Sequence, residues 1–199
     1  MIYDKFEKEV TNINAIVNVL ASKKECLERD THIEGCFIRF VVCWESFVEE
    51  YFLRCLCGAK TRNNKSINPK DAPFRNINDA FKKINKNRRD RDKDYIDWLD
   101  STVIEQRIND FFRANSRVQK ICESPDKLYQ IIIIRNAIAH RSVSALLKFE
   151  KMVKDQLGYL ASLDPTMASL LVQKRRNTNI LIFNTATEYF LNLADRLTK

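Results

Sequence analysis

Glycine and proline are scarce, at 3 and 4 residues in a chain of 199. Such scarcity argues against a turn-rich β-sandwich, and it leaves no glycine cluster for a phosphate-cradling loop or a dinucleotide-binding turn. Phosphate recognition, where it occurs, must use side chains. No apolar run approaches the ~20 residues of a membrane span, and the start Met1-Ile2-Tyr3-Asp4-Lys5 lacks a signal-peptide hydrophobic region. The sequence therefore predicts a soluble, cytoplasmic protein with no membrane partner. Histidine is rarer still, with only 2 residues. What is present is a globular balance, 45% hydrophobic and 30% charged. At ~150 residues per domain the length fits one domain, or one with an appendage.

The 6 cysteines are Cys26, Cys36, Cys43, Cys55, Cys57 and Cys122. A disulfide scaffold is shorter and richer in loops, whereas five of these six fall in one helical stretch. Cys55-x-Cys57 has no second Cys or His pair to complete a zinc site. Reduced thiols acting as small hydrophobes are the better reading. No metal site and no cofactor are expected.

Charge is unevenly spread. Residues 1–57 balance to −3, residues 58–94 to +7 and residues 95–199 to +4. The densest part of the middle segment holds Lys82, Lys83, Lys86, Arg88, Arg89 and Arg91. Such a field attracts polyanions through counterion release and steering. A solvated, mobile surface loop is the alternative, favoured by the interspersed Asp90, Asp92 and Asp94.

Elsewhere the periodicity is helical. Phe6, Val10, Ile13, Val17 and Leu20 make an amphipathic stripe within 3–28. Thr31-His32-Ile33-Glu34 has the form of a capping box, opening an apolar helix from Phe37 to Leu56 that Gly58 terminates. Pro69 and Pro73 interrupt, and helices are expected at about 76–87 and 94–113. Ser124-Pro125 starts a helix containing Leu128, Ile131 to Ile134 and Ile138. Asp164-Pro165 repeats the start signal, and Ile180 to Leu197 is amphipathic. Ile131 to Ile134 alone could be a buried strand, but the preceding cap and Ala137 to Ala139 favour helix. The expectation is a single all-α domain over 1–199, with a basic insertion at 58–94 and a C-terminal helical extension at 146–199.

One stretch carries chemistry. Arg135 lies three residues after Ile132, four after Ile131 and three before Ile138, on the apolar stripe of a central helix. A buried guanidinium is costly unless an acid pairs with it or an anionic ligand engages it, and both options stand. His140 closes the same run. His32 sits where a surface or capping role is expected.

Arg135-Asn136-x-x-x-His140 resembles the R-x4–6-H motif of HEPN domains, with the family's preferred polar residue directly after the Arg. Trp44-Glu45-Ser46-Phe47-Val48-Glu49-Glu50 is similar to the family's earlier acidic and aromatic helix. The nearest likeness is to the RiboL-PSP type, in which a Ser-Val segment follows the motif, here Ser142-Val143-Ser144. The resemblance spans roughly residues 30–145, and the basic segment 58–94 is not matched by it. It implies a HEPN-like helical bundle and a metal-independent endoribonuclease, often a toxin or defence effector with a cognate antitoxin, whose active site forms between two protomers. Other members only bind. His140 would deprotonate the ribose 2′-OH, Arg135 would stabilise the phosphorane-like charge, and Asn136 would orient phosphate or imidazole. RNA would run along Lys82, Lys83, Lys86, Arg88, Arg89, Arg91 and Arg141.

Geometry adds a condition. Five residues on an ideal helix leave Arg135 and His140 ~140° apart. Either the helix ends or distorts before His140, or two motifs face each other across a homodimer. Glu45 and Glu49, at i and i+4, share one helix face; one of them could pair with Arg135, as structural support first and catalytic acid second. Two functions therefore remain open. One is a homodimeric ribonuclease, the other a non-catalytic helical module that binds nucleic acid or protein.

Overall fold

Helix-forming stretches broken by short polar turns give an all-α architecture. The computed structural model describes residues 2–67, 69–86, 97–157, 166–174 and 178–199. Its helices are α1 (Ile2–Ala21), α2 (Leu27–Leu56), α3 (Ile77–Lys86), α4 (Ser101–Phe111), α5 (Pro125–His140), α6 (Val143–Leu157), α7 (Met167–Val172) and α8 (Ile182–Thr198), with a 3-10 turn at Arg117–Cys122. Among the described residues there is no strand, only three isolated bridges, and no helix is long and apolar enough to cross a membrane. The expected start at Asp164-Pro165 lies outside the described residues. The helix beyond it, α7, is capped by Thr166, whose side chain accepts from Ser169 N–H.

The 30-residue α2 is the axis of the fold, touching α1, α3, α5, α7 and α8. Its Phe37, Phe40, Trp44, Phe47 and Tyr51 recur at helical spacing and are all buried. They meet α1 and α8: Trp44 packs edge-on against Phe190 at 4.6 Å between ring centroids, and Phe6 stacks on Phe47 at 5.0 Å. Tyr51 donates its hydroxyl proton to Leu197 O at 3.0 Å. The C-terminal helix is thus a wall of the core rather than an appendage to it. Every member of the predicted α1 stripe is buried.

Two sequence expectations need correction. The start of α2 is Leu27, not Thr31; the Thr31 hydroxyl donates back to Leu27 O at 2.8 Å, inside the helix. Acidic residues Glu28 and Asp30 favour that earlier first turn through the helix dipole. Of the expected helix at 94–113, residues 94–96 lie outside the described residues; 97–100 are not helical and α4 starts at Ser101, because Asp97 and Asp100 use their carboxylates to bind the backbone N–H groups of Leu99, Asp100, Thr102 and Val103. Residues 58–67 and 69–76 are tied to the helices. Gly58 turns the chain at φ +76, Arg62 N–H donates to Thr198 O at 2.7 Å, and Phe74 N–H donates to Leu56 O at 3.0 Å. The Arg62 guanidinium is taken by Asp195 and lies over the Tyr3 ring at 4.5 Å. All six cysteines are unpaired thiols; Cys55 is buried and Cys26 exposed.

Candidate functional site

The motif helix α5 begins with Pro125 at its first position, where a missing N–H costs nothing, and with Asp126 in the first turn. Ser124 occupies the cap position but makes no side-chain cap bond. Leu128, Ile131, Ile133, Ile134 and Ala137 are buried. Those positions cover more than one face, because α2, α4, α6 and α7 all pack on α5. Tertiary burial overrides the weak helix propensity of four consecutive isoleucines.

The helix remains regular through His140 and ends at Arg141, whose backbone is left-handed at φ 46, ψ 24. Arg141 N–H still donates to Ala137 O at 3.2 Å, and Ser142 begins the next turn by accepting from Ala145 N–H at 3.3 Å. Of the two routes that could align the motif, distortion before His140 is therefore excluded. Within one chain Arg135 and His140 point to different sides of α5. Arg135 is half-buried and His140 exposed. Asn136, half-buried, follows Arg135 in sequence and lies ~100° from it round the helix.

Arg135 projects toward the acidic side of α2. Glu34, Glu45 and Glu49, at spacings of 11 and 4, lie along one face of that helix. Burial pushes the Glu45 carboxyl above the ordinary range; Arg135 opposes the shift, while Asp97 and Glu49 add to it. No ion pair within 4 Å joins Arg135 to Glu45 or Glu49, and Arg135 Nε is buried without a hydrogen-bond partner. The anticipated contact pair at Arg135 is therefore replaced by a looser attraction. The contact pair lies six residues on, where Arg141 Nη2 donates to Glu34 Oε2 at 2.7 Å. The side chain of Glu34 is 10% exposed, that of Arg141 60%.

Arg141, expected along the RNA path, is thus paired with Glu34 within the chain while its side chain stays largely exposed. Lys82 and Lys83 are exposed on α3. The side chain of Lys86, together with Arg88, Arg89 and Arg91, lies outside the described residues. His32 is exposed, with its Nδ1 2.7 Å from Glu28 O. Two acids escaped sequence reasoning. Glu34 reads as a capping residue in the sequence, although its eleven-residue separation from Glu45 places both on one face. Asp97 approaches through the turn before α4, a tertiary juxtaposition with no local signal. Among the described residues no group of three His, Cys, Asp or Glu side chains is placed to hold a metal ion.

A cavity of about 730 Å³ opens elsewhere, between α2, α5, α6, α7 and α8, lined by Phe37, Ile131, Ile134, Met152, Leu171 and Tyr189. None of the motif residues lines it. No protein-family model, no curated protein and no solved structure matches this chain.

Proposed function

We propose that the chain is a metal-independent endoribonuclease of HEPN type, working as a homodimer in which two α5 helices bring their motifs together. The observation that carries this reading is the disposition of α5. Its Arg135 is held half-buried against acids, while its His140 is presented to solvent at the helix end. A neutral imidazole can accept the 2′-OH proton, and a guanidinium fork can stabilise the developing phosphorane charge. Because ~140° separates the two side chains on one helix, the His140 of one protomer would act with the Arg135 of the other. Asn136 would orient the phosphate or the ring. Glu45 and Glu49 would set the position of Arg135 from behind. A toxin or defence role with a cognate antitoxin belongs to the same reading and follows from the motif's resemblance alone.

The test is cleavage of RNA in EDTA by the purified chain and by His140→Ala. The proposal expects cleavage by the parent, none by the variant, and an unchanged melting temperature, because an exposed helix-end imidazole contributes little to packing. Sedimentation should give about twice the 23.4 kDa of the chain. A monomer that still cleaves RNA would sink the shared site. Binding of RNA without cleavage by the parent would instead favour the non-catalytic module.

A further inference from the structure

Helix α3 is the one described part of the basic segment that forms a regular element facing solvent. Ala80 and Ile84, fully buried, anchor it to the core. Round the helix from that face stand Ile77 and Phe81, one turn apart, 37% and 39% exposed. Farther round, past the half-buried Asn85, come Asn78 and then Lys82, both exposed. Ile77 also forms part of the wall of a shallow concavity of about 510 Å³, shared with Arg75, Asn76 and Asn78 and with Arg54 and Gly58 at the end of α2. Arg75 is exposed. Arg54 is held by Glu50 at 2.7 Å and is not counted as available. Asp79 lies on the side of α3 away from Phe81, one turn from Lys82, and accepts from Asn76 at 2.9 Å.

The flank therefore combines an open aromatic ring, an aliphatic neighbour, an amide and two cations. Two half-exposed apolar side chains fall well short of the ~800 Å² per partner that a stable protein interface covers. Positive charge beside one flat apolar face suits a polyanion that carries its own flat faces. Paired bases hide those faces inside a duplex, so the ligand must be single-stranded.

We propose that this flank of α3 is a single-stranded RNA contact, in which Phe81 stacks on a base while Lys82 and Arg75 hold the adjoining phosphates. The inference rests on RNA being the ligand of the chain, but not on cleavage. It assigns Phe81 a binding role that the charge run alone did not indicate.

The experiment measures anisotropy of a short fluorescein-labelled oligouridine over a salt series, using the full chain carrying His140→Ala so that the probe survives. Stacking contributes ~1–3 kcal/mol per base by alanine substitution, so Phe81→Ala should lower affinity about 5- to 100-fold at every salt concentration. The salt slope should stay unchanged. Phe81→Leu keeps the bulk and the apolar area, which guards the fold, yet should lose nearly as much affinity. Phe81→Trp should restore it. Lys82→Gln should instead reduce the slope, by ~0.7 for a lost phosphate contact. Heparin, a polyanion without bases, should bind parent and Phe81→Leu equally.

Overturning results are equally plain. Phe81→Leu binding RNA like the parent, equal losses toward heparin and RNA, or a parent that binds no single-stranded RNA would each remove the stacking contact. Cleavage decides the nuclease reading separately. A chain with Phe81-dependent binding and no cleavage keeps this inference and loses that one, and cleavage indifferent to Phe81 does the reverse.

Discussion

The two long faces of α2 teach different lessons. On one, Phe37, Phe40, Trp44, Phe47 and Tyr51 interlock with α1 and α8 in a dry aromatic core. On the other, Glu34, Glu45 and Glu49 look toward α5 and the turn before α4. The aromatic face fixes where the axis lies. Its acidic counterpart then fixes how α5 is presented, tightly at Arg141 and loosely at Arg135. A helix with one dry face and one charged face can hold a site rigid without making the site itself part of the core.

The comparison predicts a ranking of stabilities. Trp44→Ala removes a fully buried ring from the aromatic face and should cost ~3–5 kcal/mol, read as a loss of urea midpoint at unchanged slope. A cost similar to that of any acidic-face variant would mean that the two faces are not distinct.

On the acidic face the largest effect should come from Arg141→Ala. The change strands Glu34, whose side chain is 10% exposed, without its cation, at ~2 kcal/mol. Glu34→Gln should cost less, because Arg141 is 60% exposed and finds water. Arg141→Gly should recover ~1 kcal/mol relative to Ala, since glycine carries no penalty at φ 46. Urea titration of the three variants checks the order. Equal losses for Arg141→Ala and Glu34→Gln would mean that burial of Glu34 is not what makes the pair matter.

Arg135→Ala breaks no contact ion pair, so it should cost only ~1 kcal/mol, mainly from the packed stem of the side chain. The same change should abolish RNA cleavage if Arg135 stabilises phosphorane charge. A stability loss exceeding that of Arg141→Ala would show Arg135 to be a structural bridge first.

Much of the fold was legible because it rests on periodicity. The α1 stripe, the apolar run of α2, Pro125 at the start of α5 and Gly58 past the end of α2 are local signals, and each is found where periodicity placed it. Boundaries set by competing local bonds were not legible in the same way. Thr31 looks like a cap but turns its hydroxyl back into the helix, and Asp97 and Asp100 together delay α4. The position of Arg135 on the stripe of α5 was readable from its isoleucine neighbours. Which acid would hold which arginine was not, because the pairing depends on the antiparallel offset of α5 along α2, a tertiary quantity. Glu34 consequently meets Arg141, while Glu45 attracts Arg135 without a contact ion pair and Asp97 acts on Glu45.

The smallest effect is also the most specific to the loose end of this face. Burial raises Glu45, and Asp97 and Glu49 raise it further against the pull of Arg135. A carboxyl whose folded titration lies above its unfolded one takes up a proton on folding. Its ionisation therefore leaves stability intact below the ordinary glutamate range and lowers it as pH rises through the shifted range, after which the loss is constant. Glu45→Gln removes that loss. The variant should be more stable than the parent at neutral pH and equal to it in acid. Adding Arg135→Ala should enlarge the difference, because the favourable charge beside Glu45 is gone. Urea midpoints at a series of pH values give the answer directly. If Glu45→Gln is the less stable chain at neutral pH, Arg135 and Glu45 form a working pair in solution, and the two ends of the acidic face are alike after all.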